Sequence, residues 1–216
     1  MRIVVTAGPT REPIDPVRFI SNRSSGKMGY ALAEVSLEAG HEVALISGPS
    51  ALAPPLGAHL VKIQTSDELF EAVHDETRNC DVLVMCAAVS DYKPRTAAKE
   101  KLEKQRVPFV LELTPTRDIL ASLPNERSFF VVGFAAETHD LAARAQRKLI
   151  AKNCDLMVAN DVSRADSGME TEENEVTIFF RDRESKTISR APKKMIAREI
   201  MKIVFDNREK SLTKKS

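Results

Sequence analysis

Short runs of apolar residues alternate with amphipathic segments along most of the chain. Ile3–Thr6 is followed by Ala7-Gly8-Pro9, and Val43–Ser47 is followed by Gly48-Pro49. Because these runs are continuously apolar rather than alternating, they predict strands that are buried on both faces, as in a parallel sheet. The predicted strands are Ile3–Thr6, Val43–Ser47, Leu60–Gln64, Asp81–Cys86, Phe129–Phe134 and Asp155–Ala159.

Helical patterns lie between these strands. Lys27–Ala39 places apolar residues largely along one side, and Gly40 is suited to the position just after a helix end. Ser66 is predicted to cap the next helix. The predicted helices are Lys27–Ala39, Ser66–Thr77, Thr116–Leu123 and Asp140–Lys152. Strands that alternate with helices predict an α/β fold with a Rossmann-like, doubly wound and mostly parallel sheet.

The C-terminal part breaks this alternation. Asn174–Phe180 and Lys186–Arg190 alternate apolar and polar residues, which predicts a β-hairpin with one solvated face. A final helix, Pro192–Phe205, is expected to bury Met195 and four aliphatic residues, and 208–216 is expected to be a flexible basic tail. We expect one domain over 1–207. The hairpin 174–190 is the candidate dimerisation element, since a two-stranded ribbon is marginally stable alone.

Composition excludes several classes of protein. The 216 residues include 32 Lys and Arg and 31 Asp and Glu, so the net charge of +1 argues against nucleic acid as a partner. No apolar run approaches the ~20 residues of a membrane span. The three cysteines lack CxxC spacing, and we expect them to be small core residues rather than zinc ligands or catalytic thiols. The expected compartment is the cytoplasm.

Three long connections follow predicted strands. They are Gly8–Gly26, Ala87–Val107 and Ala159–Asn174. Ligands of open α/β sheets bind at the carboxyl ends of strands, and long loops are usually functional or disordered. The sequence therefore predicts a binding site formed by these loops.

The first loop ends in Ser24-Ser25-Gly26-Lys27-Met28-Gly29. Hydroxyls and backbone N–H groups at a helix N-terminus favour an anion, although a polar capping loop is the simpler alternative. The motif is neither a Walker A loop nor GxGxxG. Val43–Ser47 is not followed by the acidic residue that holds an adenosine ribose, so a nicotinamide cofactor is disfavoured.

The second loop begins with Ala87-Ala88-Val89-Ser90-Asp91-Tyr92 and continues into a cationic segment. Residues 93–106 contain six basic and two acidic side chains. Asp91 is suited to a ribose hydroxyl or a metal ion, and the cations are suited to a polyphosphate. A solvated, mobile loop is the alternative interpretation of these cations.

Together these motifs resemble one family. Thr6–Arg18 running into Ile20–Gly29, followed in order by Ala87–Tyr92, Gly133–Thr138 and Ala159–Ser163, resembles phosphopantothenoylcysteine synthetase. That family ligates 4′-phosphopantothenate to cysteine in coenzyme A synthesis. The bacterial form, which this sequence resembles, uses CTP and Mg²⁺ through an acyl-cytidylate. Eukaryotic members generally use ATP.

The resemblance implies roles for individual residues. Asn22 and Lys101 match the residues needed for the second and the first half-reaction, respectively. Arg18, Asn22 and Ala135 match phosphopantothenate contacts, with Arg18 reaching across a homodimer interface. Asp91 matches a residue at the ribose or metal end of the nucleotide. The implied nucleotide contacts are Gly8, Ser24, Ser25, Gly26, Ala87, Ala88, Asp91, Lys101, Lys104 and Phe134.

The sequence also departs from the family pattern. Lys101-Leu102-Glu103-Lys104 replaces Lys-Ile-Lys-Lys, Thr116-Arg117-Asp118-Ile119 replaces Asn-Pro-Asp-Ile, and 168–174 is a loose version of a Gly-Phe-type loop. Glu103 motivates an alternative function, a catalytically impaired nucleotide-binding regulator or scaffold. Many bacterial relatives carry an N-terminal decarboxylase. Because this sequence starts at the first synthetase strand, we expect the decarboxylase to be a separate chain or to have been removed.

Overall fold

The computed structural model describes residues 1–104, 106–163, 171–182 and 184–213. Its helices are α1 (Lys27–Glu38), α2 (Ser66–Glu76), α3 (Leu141–Ala151) and α4 (Lys193–Thr213). The strands of the main sheet are β1 (Arg2–Ala7), β4 (Glu42–Ser47), β5 (His59–Lys62), β6 (Val82–Met85), β9 (Phe130–Glu137), β10 (Leu156–Asp161), β11 (Glu173–Phe180) and β12 (Lys186–Pro192). Two short ribbons pair β2 (Arg11–Pro13) with β3 (Phe19–Ser21) and β7 (Tyr92–Pro94) with β8 (Leu113–Pro115).

The main sheet has the order β12-β11-β10-β9-β6-β1-β4-β5. Neighbours from β5 to β10 pair in parallel, whereas β11 and β12 are antiparallel additions at one edge. Counted along the chain, the six parallel strands are arranged third, second, first, fourth, fifth, sixth, which is the Rossmann order. The predicted mostly parallel, Rossmann-like sheet with a C-terminal hairpin is confirmed.

Helices cover both faces of this sheet. Tyr30, Leu32 and Val35 of α1 pack in one core with Ile196 and Ile200 of α4. The opposite core contains α2 and α3, together with the other side of the same strands. Alternate residues of β1 enter different cores, which explains why buried parallel strands appear as continuous apolar runs. Among the described helices, none is both long and apolar enough to cross a membrane.

The prediction of a helix over Thr116–Leu123 was wrong. The segment forms turns in which Ile119 and Leu123 are buried. Its polar groups bond to other parts of the molecule: the Thr116 hydroxyl donates to the carbonyl of Ser90 (2.7 Å), and Asp118 pairs with Lys152. Pro124 also directly follows the segment, which discourages a continuing helix.

The start of α2 also differs from the prediction. Thr65, not Ser66, is the N-cap, and Thr65 and Glu68 form a reciprocal capping box. The Thr65 hydroxyl accepts from the Glu68 N–H at 3.2 Å. The sequence Thr-Ser-Asp-Glu contains this capping-box spacing, which the choice of Ser66 overlooked.

The last helix is longer than predicted. Pro192 ends β12, α4 starts at Lys193 and continues to Thr213, and Met195 is 51% exposed rather than buried. Residues 208–213 are therefore helical rather than part of a flexible tail, whereas 214–216 lie outside the described residues. Arg208 explains the extension, because its guanidinium is buried and donates to the carbonyls of Asp81 (3.2 Å) and Ser128 (3.1 Å).

Candidate active site

The candidate site is a cavity of about 440 Å³ at the carboxyl ends of β1, β6, β9 and β10. β1 and β6 are neighbours in space, and the direction of winding reverses between them. The loops after both strands line the cavity, with the first turn of α1, residues 116–120, Lys148 of α3 and Lys152 directly after α3. The binding site predicted at the ends of the strands thus corresponds to a cavity.

Hydrogen bonds hold the loops after β1 and β6 together. The Ala88 N–H donates to the carbonyl of Gly8 (2.9 Å), and the Thr10 N–H donates to the carbonyl of Ala88 (3.2 Å). The buried Thr6 hydroxyl accepts from the N–H groups of Cys86 (3.1 Å) and Ala87 (3.0 Å). This wall of the cavity is therefore fixed by backbone contacts, which explains the small residues in the sequence motifs.

Asn22 lies on this wall. Its Nδ2 donates to the carbonyls of Val89 (2.9 Å) and Ala88 (3.3 Å). Because backbone carbonyls only accept hydrogen bonds, these contacts fix which end of the amide is the nitrogen. Asn22 also lines the cavity, so its amide is held beside any ligand bound there.

The first turn of α1 forms one end of the cavity. Gly26 is the N-cap in the left-handed conformation (φ 80°), and the Ser24 hydroxyl accepts from its N–H at 3.4 Å. Gly29 has no Cβ for a packing reason: an added Cβ would lie 2.5 Å from the Cβ of Ala7. The close approach of α1 to β1 brings the positive end of the helix to the site, where anions bind favourably.

The opposite wall contains ion pairs. Lys148 pairs with Glu137 (2.7 Å), and Lys152 pairs with Asp118. Burial raises the pKa of the Glu137 carboxyl, but hydrogen bonds and charge from Lys148 and Arg144 outweigh it and hold that pKa below its ordinary value. Glu137 is therefore a carboxylate beneath the cavity that fixes Lys148 at its wall.

Arg117 anchors the same wall to α2. Its guanidinium lies 3.7 Å from the centre of the Phe70 ring and bonds Asp67 (3.2 Å) and Glu71 (3.0 Å). This residue occupies one of the positions where the sequence departs from the family pattern. In this chain, contacts with one helix therefore hold the turn in place.

The charge of the cavity lining is mainly positive. Lys27, Arg117, Lys148, Lys152 and Lys193 line it, and the described acidic residues of the lining are Asp91 and Asp118. Burial lowers the pKa of the Lys193 ammonium, as does the nearby charge of Lys27. The cavity therefore favours an anionic ligand.

The structure brings together most of the predicted site residues, but not all of them. The cavity lining includes Asn22, Ser24, Gly26, Ala87, Ala88, Asp91, Phe134 and Ala135. Gly8 and Ser25 lie directly behind this lining: Gly8 bonds Ala88, and the Ser25 carbonyl accepts from Ser50 (3.1 Å). Arg18, Lys101 and Lys104 are exposed and lie outside the lining.

Arg18 lies in the connection between β2 and β3 and contacts Leu102. The buried Asp15 carboxylate accepts from the N–H groups of Val17 (2.8 Å), Arg18 (2.8 Å) and Leu102 (3.2 Å). Arg18 also donates to the carbonyl of Leu102, and the Ala98 N–H donates to the carbonyl of Ile14 (2.9 Å). Lys101 is thus held near Arg18, away from the cavity of its own chain.

Asp91 is an exposed carboxylate at the rim of the cavity. No group of three or more His, Cys, Asp or Glu side chains that could hold a metal occurs within the described ranges. One carboxylate is nevertheless enough for Mg²⁺, which usually binds through one or two carboxylates plus substrate phosphates and water. The residues present therefore fit a magnesium ion that arrives with a nucleotide.

Cys86 also lines the cavity, and burial raises the pKa of its thiol to about 12. Burial raises the pKa values of Cys80 and Cys154 to about 12 as well. A thiol with such a pKa is neutral at ordinary pH and is a poor nucleophile. Cys80 and Cys154 are buried, as expected of core residues, whereas Cys86 is partly exposed at the cavity.

Sequence reasoning missed several residues of the cavity. Asn174 and Lys193 enter it only because β11 pairs with β10, a long-range pairing that no local pattern reveals. The sequence pattern assigns Lys148 and Lys152 to a predicted helix and gives them no role in the site. Their spacing of four residues places them on one helix face, which was an available signal. Residues 164–170, which contain most of the predicted Gly-Phe-type loop, lie outside the described residues.

Comparison with known proteins agrees with this geometry. A profile of the DNA/pantothenate metabolism flavoprotein C-terminal domain matches residues 1–207. The chain belongs to this family. Its sequence is 45% identical over 201 residues to the coenzyme A biosynthesis bifunctional protein CoaBC of Bacillus subtilis, covering 92% of the chain and 50% of that relative. CoaBC of Vibrio cholerae is 43% identical over 185 residues, covering 84% and 46%.

Solved structures show the same family fold. The crystal structure of the C-terminal domain of CoaBC matches with a TM-score of 0.82 and 42% identity, covering 97% of this chain and 96% of that one. The chain spans about half the length of the curated relatives it matches. The matched family domain, residues 1–207, therefore includes every described strand of the main sheet.

Proposed function

We propose that the chain ligates 4′-phosphopantothenate to L-cysteine, giving 4′-phosphopantothenoylcysteine in coenzyme A biosynthesis. The observation that carries this proposal is that Asn22, the Ser24–Gly26 turn, Ala87–Asp91 and Phe134 meet in one cationic cavity. These residues come from three separate motifs that resemble the synthetase. The similarity to proteins named for coenzyme A biosynthesis supports the same assignment.

In the first half-reaction, a carboxylate oxygen of phosphopantothenate attacks the α-phosphorus of CTP. A phosphorus–oxygen bond forms to give the acyl-cytidylate, and pyrophosphate leaves. Lysines of the cavity stabilise the charge on the phosphate oxygens, and the N-terminus of α1 orients them. When bound, Mg²⁺ neutralises charge on these oxygens, and Asp91 is its proposed protein ligand.

In the second half-reaction, the cysteine amine attacks the activated carbonyl carbon. The amide bond forms, CMP leaves as the phosphate monoester, and the amine loses a proton to water. The Asn22 Nδ2 donates to the carbonyls of Val89 (2.9 Å) and Ala88 (3.3 Å), and giving up the longer of these bonds frees one N–H for the acyl oxygen. We assign Asn22 to stabilise the oxyanion that develops on the carbonyl.

The proposed homodimer explains the positions of Arg18 and Lys101. Both are exposed and neighbouring, and neither lines the cavity of its own chain. Apolar side chains are exposed on the same ribbons, including Val17 (58%), Phe19 (46%) and Tyr92 (53%). We therefore assign this surface to a second copy of the chain, with Arg18 and Lys101 of each copy completing the other cavity.

The hairpin 174–190, the dimerisation element predicted from the sequence, lies elsewhere in the fold. The instability of an isolated ribbon motivates a dimerisation role for the hairpin 174–190, but β11 pairs with β10 as well as with β12. The sheet therefore stabilises the hairpin without a partner chain. A role of its outer edge in dimerisation stays a prediction.

A pyrophosphate-release assay tests the ligase. We expect release that depends on phosphopantothenate and is faster with CTP than with ATP, together with phosphopantothenoylcysteine when cysteine is present. Nucleotide binding without pyrophosphate release, for every nucleotide tested, would instead support the regulator that Glu103 motivates.

We place the activity in the cytoplasm, where the substrate cysteine and the thiols of this chain are reduced. A decarboxylase acting on the product is the proposed partner.

A further inference from the structure

A buried carboxylate that has no part in the two half-reactions described above lies in the connection between β2 and β3. Asp15 is 4% exposed. One of its oxygens, Oδ1, accepts from the N–H groups of Val17 and Arg18, both at 2.8 Å. Although burial raises the pKa of this carboxyl, its hydrogen bonds hold that pKa below the ordinary 3.8, so the group is charged at neutral pH. Oδ1 thus stabilises the turn between the two strands.

The second oxygen of Asp15, Oδ2, has different partners. It accepts from the N–H of Leu102 at 3.2 Å and pairs with the Arg18 guanidinium at 2.7 Å. The bonded N–H belongs to the peptide that joins Lys101 to Leu102. The same guanidinium nitrogen also donates to the Leu102 carbonyl. One carboxylate oxygen therefore fixes both the side chain of Arg18 and the backbone next to Lys101.

Asp15 is itself held relative to the main sheet. Glu12 of β2 is buried, and its carboxylate accepts from the N–H of Ser66 at the start of α2 (2.9 Å). The Arg11 N–H donates to the carbonyl of Gln64, just after β5 (2.7 Å). The ribbon therefore keeps a constant position relative to α2 and β5, and the groups bonded to Oδ2 are held relative to the same elements.

Arg18 still has donors for a ligand in this arrangement. Among the described residues, no protein group accepts from its Nε or Nη1, and its side chain is 47% exposed. Lys101 is exposed as well. A guanidinium with one nitrogen anchored and two nitrogens open binds an anion with little further loss of side-chain freedom. Asp15 thus orders Arg18 and the backbone at Lys101 before a substrate arrives.

We propose that Asp15 is a positioning residue that holds Arg18 and Lys101 in a fixed arrangement for the first half-reaction. The proposal rests on the ligase function and on the homodimer in which these two cations complete the cavity of the other copy. Asp15 acts only through the groups bonded to its Oδ2. A displacement of about 1 Å can slow a reaction about 100-fold, so loss of this anchor should impair nucleotidyl transfer and weaken phosphopantothenate binding.

The variant Asp15→Asn separates the roles of the two oxygens. An amide has one acceptor oxygen, and in the place of Oδ1 this oxygen keeps both hydrogen bonds within the turn. The NH2 group then faces the Leu102 N–H and the Arg18 guanidinium, which are donors, so the contacts of Oδ2 are lost. The Ala98 N–H still donates to the carbonyl of Ile14 (2.9 Å). The segment before Lys101 therefore stays attached to the ribbon, and only its end is released.

Amide hydrogen exchange tests this anchor without any substrate. The Leu102 N–H should be protected in the wild type and should exchange about tenfold faster in Asp15→Asn. Glu100→Gln is the matched control, because it removes an exposed carboxylate from the same segment and should leave this exchange unchanged. Circular dichroism checks that each variant is folded, and Asp15→Ser, whose hydroxyl also accepts within the turn, replaces Asp15→Asn if that variant is not. Wild-type exchange at Leu102 in the variant would overturn the proposal.

Kinetic measurements distinguish positioning from a general loss of structure. In Asp15→Asn, we expect kcat for pyrophosphate release to fall about tenfold and the KM for phosphopantothenate to rise, with the KM for CTP unchanged. Attack of cysteine on the enzyme-bound acyl-cytidylate, followed in single turnovers, should keep its wild-type rate constant. Glu100→Gln should match the wild type in every parameter. A fall in kcat alone, in proportion to the folded fraction and with both KM values unchanged, would contradict the positioning role.

One comparison separates this proposal from the ligase function. If the wild type releases no pyrophosphate, the ligase proposal fails, but exchange at Leu102 and calorimetric titration with phosphopantothenate still compare the wild type with Asp15→Asn. Faster exchange together with weaker binding in the variant would support the role of Asp15. A wild-type value of either quantity would exclude it.

Discussion

At the scale of residues, Asn22 is the position where structure and proposed chemistry are most closely connected. The carbonyls of Ala88 and Val89 accept hydrogen bonds from its amide. Both residues belong to the loop after β6, which lines the cavity. If the longer bond, to Ala88 (3.3 Å), is given up, the amide can donate one N–H to an oxyanion, and it has no role in displacing pyrophosphate. The two half-reactions should therefore respond differently to its replacement.

We expect Asn22→Asp to release pyrophosphate and accumulate the acyl-cytidylate, because the carboxylate no longer stabilises the oxyanion. Lys101→Gln should make neither, because the cation is needed for nucleotidyl transfer. Removal of one oxyanion donor slows the affected step by about 10²–10³-fold. Rapid-quench chromatography of the acyl-cytidylate measures both effects. Equal loss of both half-reactions in Asn22→Asp would contradict its assigned role.

Asp15 gives a prediction about pH. Burial raises the pKa of its carboxyl, but the N–H groups of Val17, Arg18 and Leu102 and the charge of Arg18 outweigh it, so the pKa is lower than the ordinary 3.8. A carboxyl with a lowered folded-state pKa stabilises the fold above its unfolded pKa. That stabilisation is lost as the pH falls through the folded-state pKa.

Asp15→Asn should therefore lower the Tm at neutral pH, and the difference from the wild type should shrink below about pH 4. Thermal unfolding between neutral and acidic pH measures this difference. Asp206→Asn, which changes an exposed carboxyl in α4, serves as the control. A difference that stays constant across this range would exclude the proposed charge effect.

At the scale of elements, the helix extension beyond Phe205 has a physical cause that can be tested. Arg208→Ala leaves the carbonyls of Asp81 and Ser128 without these donors and opens a gap next to the sheet. We expect a loss of about 1–3 kcal/mol in the free energy of unfolding, measured with urea. Lys210→Ala, an exposed change in the same turn, should have little effect. Equal stabilities would support the flexible tail predicted from the sequence.

Local patterns were sufficient for the main sheet but not for the elements formed by long-range contacts. Runs such as Ile3–Thr6 indicate their strands because burial on both faces requires apolar residues throughout. The ribbons β2–β3 and β7–β8 were missed because each has three-residue strands without an apolar run. Residues 116–123 were assigned to a helix because their contacts with Ser90 and Lys152 are distant in sequence.

The same limit applies to the site. The strand-end motifs located Asn22, Ser24 and Asp91 at one cavity, because loops at carboxyl ends of neighbouring parallel strands must meet. The cationic segment 93–106 was expected to supply the charge of the site. Packing between elements determines which cations reach the cavity. The described cations of the lining are instead Lys27, Arg117, Lys148, Lys152 and Lys193.

At the scale of the whole molecule, the proposed dimer makes a quantitative prediction. If Lys101 completes the cavity of the partner, a heterodimer of Asn22→Asp and Lys101→Gln chains contains one intact site and one site with both changes. Random exchange of the two inactive variants should then restore about a quarter of the wild-type product formation. If both residues act within one chain, no activity returns. Light scattering should show a dimer throughout.

The most direct measurement of the central claim is the complete reaction with purified protein. CTP, phosphopantothenate, cysteine and Mg²⁺ are incubated with the chain, and the products are quantified by mass spectrometry. We predict phosphopantothenoylcysteine, CMP and pyrophosphate in equal amounts, with no phosphopantothenoylcysteine when cysteine is omitted. Failure to form phosphopantothenoylcysteine with CTP or ATP, from protein that folds and binds nucleotide, would contradict the ligase function.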